Sequence, residues 1–154
     1  MAGFLGRRVP VWDFADAYAA EEELAQQQDM LVRNSHLGAS LAKSLRGGED
    51  SPAHSGSNST DVDGEVPNVV ALMRGHGMVV VAQSIEMCVL RAIYTVQNAK
   101  ILQAAKGLGG GDVRVLSERE VADTRNTTAK GAVKPWPLWV REVESAGGIY
   151  RNLA

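Results

Sequence analysis

Residues 69–107 constrain the fold most, because they are the longest stretch of the chain with clear hydrophobic periodicity. Two short apolar runs, residues 69–73 and 78–82, flank an Arg-Gly-His-Gly turn at residues 74–77. Both runs are rich in β-branched residues and end at residues that break regular structure, which is typical of buried strands. The pattern therefore predicts two strands joined by a tight turn that carries His76.

A long helix is predicted to follow these strands. From Ser84 onward the apolar residues take helical spacing and form one stripe, which consists of Ile85, Val89, Ala92, Ile93, Val96 and Ala99. Ser84 suits the N-cap, Glu86 suits the positive end of the helix dipole, and Gly107 suits the position just past the end. The helix is expected to bury the stripe and to leave polar residues outside it, namely Arg91, Gln97 and Lys100.

Composition excludes several classes of function. The chain has 154 residues, the size of one domain in the usual range of roughly 100 to 200 residues. A net charge of -2 gives no reason to expect nucleic acid or an anionic membrane as partner, since both require clustered positive charge. Cys88 is the single cysteine, so neither an intrachain disulfide nor a cysteine-based zinc site can form. No targeting or membrane-spanning segment is predicted, and a cytoplasmic location is the expectation.

Shorter patterns predict the N-terminal elements. Residues 3–10 begin with a strand-like fragment. The three aromatic residues that follow are interpreted as core or subunit-interface packing: Trp12, Phe14 and Tyr18. A helix is predicted to open at Asn34 or Ser35 and to stop at Gly47, with one apolar face formed by Leu37, Leu41, Ala42 and Leu45. His36, in its first turn, is interpreted as a half-exposed histidine without a ligand role.

The remaining segments are an insertion and two further helices. Residues 47–65 are rich in Gly, Ser, Asp, Asn and His and nearly devoid of apolar residues, which predicts a disordered surface insertion. Ser117 and Glu120 have the spacing of a capping box that starts a helix. A last helix is predicted to start near Pro135 or Pro137, with three residues facing inward: Leu138, Trp139 and Val143.

His76 is the residue for which the motifs leave a chemical role open. The chain contains no Gly-x-Ser-x-Gly, no His-Glu-x-x-His and no dinucleotide-binding glycine motif, so no catalytic residue is assigned. Flanked by Gly75 and Gly77, the imidazole of His76 has little side-chain bulk beside it. Two interpretations of His76 remain open, because such a histidine is a simple turn residue at least as often as a metal ligand.

The order of these elements resembles the class II aldolase/adducin family. The likeness is carried by residues 72–81, by Ser84-Ile85-Glu86 and by the helix that follows. In that family an Arg- or Asn-(Gly)-His-Gly turn is followed by a strand and then by a long helix. It extends to residues 1–6, 10–18, 29–34 and 37–38, which look like the middle of the family's domain. Residues 121–122, 136–139 and 141–144 look like its tail. Nearly the whole chain is covered apart from the insertion.

The resemblance implies a three-layer α/β/α domain, of which residues 1–154 form an N-terminally incomplete part. Enzyme members of the family bind a divalent ion, often zinc, through three histidines, and the histidine of the His-Gly turn carries over to His76. Such enzymes use the ion as a Lewis acid to cleave, epimerise, dehydrate or decarboxylate small sugar phosphates or keto and hydroxy acids. The resemblance also implies a homo-oligomer.

The chain departs from the family pattern in one respect that bears on activity. It contains neither the His-x-His motif nor the upstream catalytic carboxylate of the enzyme members. One histidine cannot hold a catalytic metal, so the chain on its own is expected to be inactive. Two hypotheses follow: a truncated, inactive form of a metal-dependent lyase or epimerase in which His76 is the surviving ligand, or a non-catalytic, adducin-like interaction module in which His76 is a turn residue.

Overall fold

A computed structural model describes residues 3–19, 28–47, 66–109, 111–129 and 131–147. These residues form a mixed α and β structure with the following elements in chain order: the 3-10 helix Gly3–Leu5, β1 Val11–Trp12, α1 Phe14–Ala19, α2 Ser35–Arg46, β2 Val70–Met73, β3 Gly77–Val80, α3 Ile85–Gly107, α4 Glu118–Thr128 and α5 Trp136–Ser145. The chain divides into two compact units, residues 4–82 and residues 83–154 together with 1–3. The predicted insertion lies, from residue 48 onward, outside the described residues.

The unit of residues 4–82 is built on a three-stranded sheet in the order β1-β2-β3. β1 runs parallel to β2, with Val11 beside Leu72, and β2 runs antiparallel to β3, with Met73 beside Gly77. The two predicted strands are therefore confirmed as a hairpin, and their bounds differ from the prediction by one or two residues. The hairpin turn at residues 74–76 brings His76 to one end of the sheet.

The core of this unit lies where β1, α1, α2 and β2 meet. Its buried members are Trp12, Phe14, Ala17, Leu37 and Met73, and four partly buried residues pack against them: Tyr18, Met30, Leu41 and Val79. The indole Nε1 of Trp12 donates a hydrogen bond to Ser40 Oγ at 3.0 Å, which ties β1 to α2. The predicted packing role of the three N-terminal aromatic residues is thus confirmed, and they pack in the core of this unit.

The boundaries of α2 follow from its capping residues. Asn34 Oδ1 accepts a hydrogen bond from the backbone N–H of Leu37 at 2.8 Å, and Gly47 follows the last turn with a φ of 78°. The bond to Asn34 satisfies an N–H that has no partner within the helix. The positive φ of Gly47 is one that glycine adopts readily. The predicted start and stop of this helix are confirmed. His36 is half-buried, and its Nε2 lies 3.1 Å from the carbonyl oxygen of Ala17.

The prediction of a strand-like fragment within residues 3–10 is wrong. Residues Gly3–Leu5 form a 3-10 helix, and the strand begins only at Val11. Gly6, with a φ of 64°, turns the chain between the two. Pro10 accepts a hydrogen bond from Leu72 N–H through its carbonyl, but its nitrogen carries no hydrogen, so it can accept from the sheet and cannot donate to it.

The second unit contains α3, α4 and α5. Ser84 Oγ caps α3 by accepting from the N–H of Met87 at 3.2 Å. Ser117 and Glu120 form a complete capping box at the start of α4. The predicted starts of both helices are confirmed, and α5 begins between the two prolines as expected. None of the helices formed by the described residues combines the length and the apolar composition that crossing a membrane requires.

The burial predicted for α3 is wrong. Ile85 is 72% exposed and Val96 is 42% exposed, although both belong to the predicted buried stripe. The buried residues of α3 are instead Leu90, Arg91 and Thr95, none of which belongs to the predicted stripe. Apolar side chains occur on both sides of α3, so helical spacing identifies a face that favours burial without identifying what covers it.

The inward face predicted for α5 is also wrong in part. Leu138 and Val143 are exposed, whereas Trp139 is half-buried. The same physical reason applies, because the spacing of apolar residues shows which of them share a face and does not show whether another element packs there.

Candidate functional site

The hairpin turn fixes the backbone of His76. The N–H of His76 donates to the carbonyl oxygen of Met73 at 3.0 Å, which closes a four-residue turn. Gly75 occupies the third position with a φ of 69°, a conformation that glycine tolerates and other residues rarely adopt. A Cβ at Gly75 would lie only 3.1 Å from the sulfur of Met30, so close packing also favours glycine there. The turn is therefore defined, and the side chain of His76 is exposed beside it.

Two side-chain contacts join this turn to the junction of β1 and α1. Arg74 Nε lies 2.6 Å from Asp13 Oδ2, and the ring centroids of His76 and Phe14 lie 6.1 Å apart in an edge-on arrangement. The backbone adds a third connection, since Arg74 N–H donates to the carbonyl of Trp12 at 3.1 Å. Phe14 belongs to the buried core, so the imidazole of His76 lies edge-on beside a buried aromatic ring and is itself exposed to solvent.

Asp13 connects the turn to the start of α1 through both carboxylate oxygens. Oδ1 accepts a hydrogen bond from the N–H of Ala15 at 2.8 Å, as an N-cap residue does, while Oδ2 faces Arg74. The hydrogen bond from Arg74, followed by that from the Ala15 N–H, holds the pKa of Asp13 below its ordinary value. The same contact raises the pKa of Arg74. Both groups are thus charged near neutral pH.

The pair predicts a dependence of stability on pH. Because the pKa of Asp13 is lower in the folded chain than in the unfolded chain, its stabilising effect is present above the unfolded pKa of about 3.9 and is lost as pH falls through the folded pKa. We expect the free energy of unfolding of the wild type to fall more steeply between roughly pH 5 and pH 3 than that of Asp13→Asn, measured by urea unfolding. Asparagine retains the N-cap, so the difference isolates the charge.

Parallel pH profiles for wild type and Asp13→Asn would contradict this assignment. Glu86 and Glu120 also have lowered pKa values. The wild type and Asp13→Asn both retain these two residues, so their contribution to the pH dependence cancels in the comparison.

The described residues do not fit a complete metal centre. Across residues 3–19, 28–47, 66–109, 111–129 and 131–147, no group of three or more His, Cys, Asp or Glu side chains is arranged to hold a metal ion. A zinc site needs about three protein ligands or more. Asp13, the acidic residue joined to the turn, is already bonded to Arg74 and Ala15. His76 can therefore contribute one ligand to a site that the described residues do not complete as they are arranged.

Sequence reasoning identified His76 but missed the residues that position it. Asp13 and Arg74 are separated by 61 positions, and a single sequence carries no signal for such a pairing. Asp13 precedes a helical pattern and was recognisable in principle as an N-cap, although not as the partner of Arg74. Phe14 was interpreted as packing, which is correct, but its contact with His76 follows only from the fold.

Comparison with known proteins relates the whole chain to a decarboxylase, which is a lyase-type enzyme. The relative is Decarboxylase tropJ of Talaromyces stipitatus, which is 41% identical over an alignment 163 positions long. The alignment covers 100% of this chain and 55% of the relative, so the chain spans about half the length of the protein that it matches. No family model matches the chain.

Proposed function

We propose that this chain is part of a class II aldolase-type lyase that decarboxylates a small keto or hydroxy acid. The observation that carries the proposal is the 41% identity to a named decarboxylase across the whole length of the chain. The Arg-Gly-His-Gly turn and its flanking strands and helix support the class II aldolase type. In this proposal the three-stranded sheet and its helices belong to a larger three-layer α/β/α domain that forms a homo-oligomer.

The proposed role of His76 is to supply one ligand for a divalent ion such as zinc. A neutral imidazole binds such ions through one ring nitrogen, and an exposed ring leaves that nitrogen accessible. Phe14 supports the ring and the Arg74–Asp13 ion pair holds the turn, so the ligand is positioned before any ion arrives. Such support of a ligand by surrounding groups is typical of metal sites. The described residues do not by themselves complete the proposed site.

A non-catalytic, adducin-like interaction module is the second candidate. It is favoured by one observation, namely that no group of metal-binding side chains accompanies His76 among the described residues. In this case His76 is a turn residue, and its contact with Phe14 serves packing alone.

Release of carbon dioxide tests the proposal directly. The longest reading frame that contains this chain is incubated with a panel of small keto and hydroxy carboxylic acids, before and after treatment with EDTA. We expect carbon dioxide release that chelation abolishes and that added zinc or manganese restores, because a metal-dependent lyase loses its Lewis acid on chelation. The 154-residue chain alone is expected to be inactive in the same assay.

Two outcomes would contradict parts of the proposal. Release that persists after complete removal of metal would exclude the role proposed for the ion. A folded, metal-loaded longer protein that releases no carbon dioxide from any acid of the panel would favour the interaction module.

A further inference from the structure

Met30 has a backbone conformation that residues with a side chain rarely adopt. Its φ is 60°, and among the residues that the structure describes it is the one non-glycine residue with a positive φ. This left-handed conformation is unfavourable for any residue that carries a Cβ. Backbone strain of this kind persists where the surrounding structure fixes it, and it is common near functional sites.

Two bonds made by Asp29 hold Met30 in this conformation. Asp29 Oδ1 accepts a hydrogen bond from the N–H of Leu31 at 3.2 Å, so the carboxylate closes a turn around Met30. Oδ2 of the same carboxylate is bonded to the guanidinium of Arg33. The segment buries Met30 in preference to its neighbour, since Leu31 is 46% exposed, whereas Met30 is half-buried and packs against the core of its unit.

The thioether of Met30 lies against the middle of the turn that carries His76. A Cβ added at Gly75 would be 3.1 Å from the sulfur of Met30 and 3.2 Å from its terminal methyl group. Both atoms therefore pack against the backbone of Gly75, in the space that a side chain would otherwise occupy. Gly75 is itself left-handed, with a φ of 69°.

Each of the three residues of the turn has a contact outside the hairpin, and these contacts are Arg74 with Asp13, Gly75 with Met30 and His76 with Phe14. The first and the third are made by adjacent residues at the junction of β1 and α1, whereas the second comes from a separate segment. It is also made to the residue with the greatest backbone freedom, because glycine adopts many conformations that other residues do not. A contact at Gly75 therefore restricts the turn where it is otherwise least restricted.

We propose that Met30 is a positioning residue for His76. Its thioether holds Gly75 in the left-handed conformation and so keeps the imidazole of His76 beside Phe14, while the strained backbone of Met30 places the thioether there. The consequence for catalysis rests on the proposed function, because it requires His76 to act in the reaction. The effect of Met30 on the turn does not depend on that function.

Hydrogen exchange of backbone amides, measured by NMR on the longest reading frame that contains this chain, tests the proposal at the turn. The N–H of His76 donates to the carbonyl oxygen of Met73, so its exchange rate reports opening of the turn. Met30→Ala removes the thioether and is expected to raise this rate roughly tenfold. Met30→Leu retains most of the volume and is expected to exchange like the wild type. Leu31→Ala, at the exposed neighbour, is the matched control and is expected to change nothing.

The amide of Leu72 separates loosening of the turn from loosening of the whole unit. Its N–H donates to the carbonyl of Pro10 in the same unit at 2.9 Å, and Met30→Ala is expected to accelerate its exchange much less than that of His76. Equal acceleration at both amides, no acceleration at His76, or Met30→Leu that exchanges like Met30→Ala would overturn the proposal. In the wild type, a nuclear Overhauser effect between the methyl group of Met30 and the α-hydrogens of Gly75 checks the contact without a substitution, and its absence would also overturn the proposal.

Steady-state kinetics of carbon dioxide release test the consequence for the reaction. A displaced reacting group lowers kcat and leaves KM nearly unchanged. Met30→Ala is therefore expected to lower kcat roughly tenfold or more, and Met30→Leu to restore it. A rise in KM alone would contradict the positioning role. If no form of the protein releases carbon dioxide, the proposed function fails, whereas hydrogen exchange still decides whether Met30 holds the turn.

Discussion

Replacing Phe14 with alanine is expected to lower the free energy of unfolding by about 3–5 kcal/mol, the usual cost of removing a buried aromatic ring. Phe14 is 1% exposed. Its ring centroid lies 4.2 Å from that of Trp12 and 5.9 Å from that of Tyr18, so the ring joins the aromatic residues of the core. Whole domains are commonly stable by only about 5–15 kcal/mol, so this loss would be a large fraction of the total. Urea unfolding followed by circular dichroism measures it.

Val11→Ala is the matched control for this prediction. Val11 lies three positions before Phe14 and is exposed, so its truncation is expected to change stability by less than about 0.5 kcal/mol. An effect of Phe14→Ala as small as that of Val11→Ala would contradict the placement of Phe14 in the core.

The features that could be predicted from the sequence are those set by neighbouring residues. The cap of α3 at Ser84 and the capping box at Ser117 each depend on side chains within three positions of the helix start. The hairpin is equally local, because the turn at Gly75 requires a left-handed conformation and the flanking β-branched residues favour strands. Such features need no knowledge of the rest of the fold.

The features that could not be predicted depend on contacts between distant segments. The burial of Arg91 instead of Val96 reflects the position of α3 against other residues, which hydrophobic spacing does not encode. Likewise, the pairing of Asp13 with Arg74 arises only when β1 aligns in parallel with β2. A hairpin can be predicted from the residues of its tight turn, whereas a pair of parallel strands is joined by a long connection that carries no such signal.

The candidate site also combines a feature that could be predicted from neighbouring residues with features that depend on distant contacts. His76 was found because glycines flank it in a turn, which is a local signal. Its support by Phe14 and the ion pair required the fold. The role of His76 as a metal ligand stays a prediction, because no group of three or more candidate ligand side chains occurs among the described residues.

His76→Ala, in the longest reading frame that contains this chain, is expected to lower carbon dioxide release and bound metal together. Loss of even a residue that supports a metal ligand typically costs about 10- to 100-fold in affinity or activity, so loss of the ligand itself should cost at least about 100-fold. The imidazole is exposed, so the free energy of unfolding should change little. Steady-state rates, metal content and urea unfolding measure the three quantities.

His36→Ala provides the contrast that makes this prediction specific. His36 is half-buried and lies against the carbonyl of Ala17, so its removal should affect the packing of α2 against α1 and leave metal content unchanged. A metal ligand and a packing histidine are therefore distinguished by opposite responses in the same protein. If His76→Ala retained both metal and activity, His76 would be a turn residue, and its contact with Phe14 would serve packing alone.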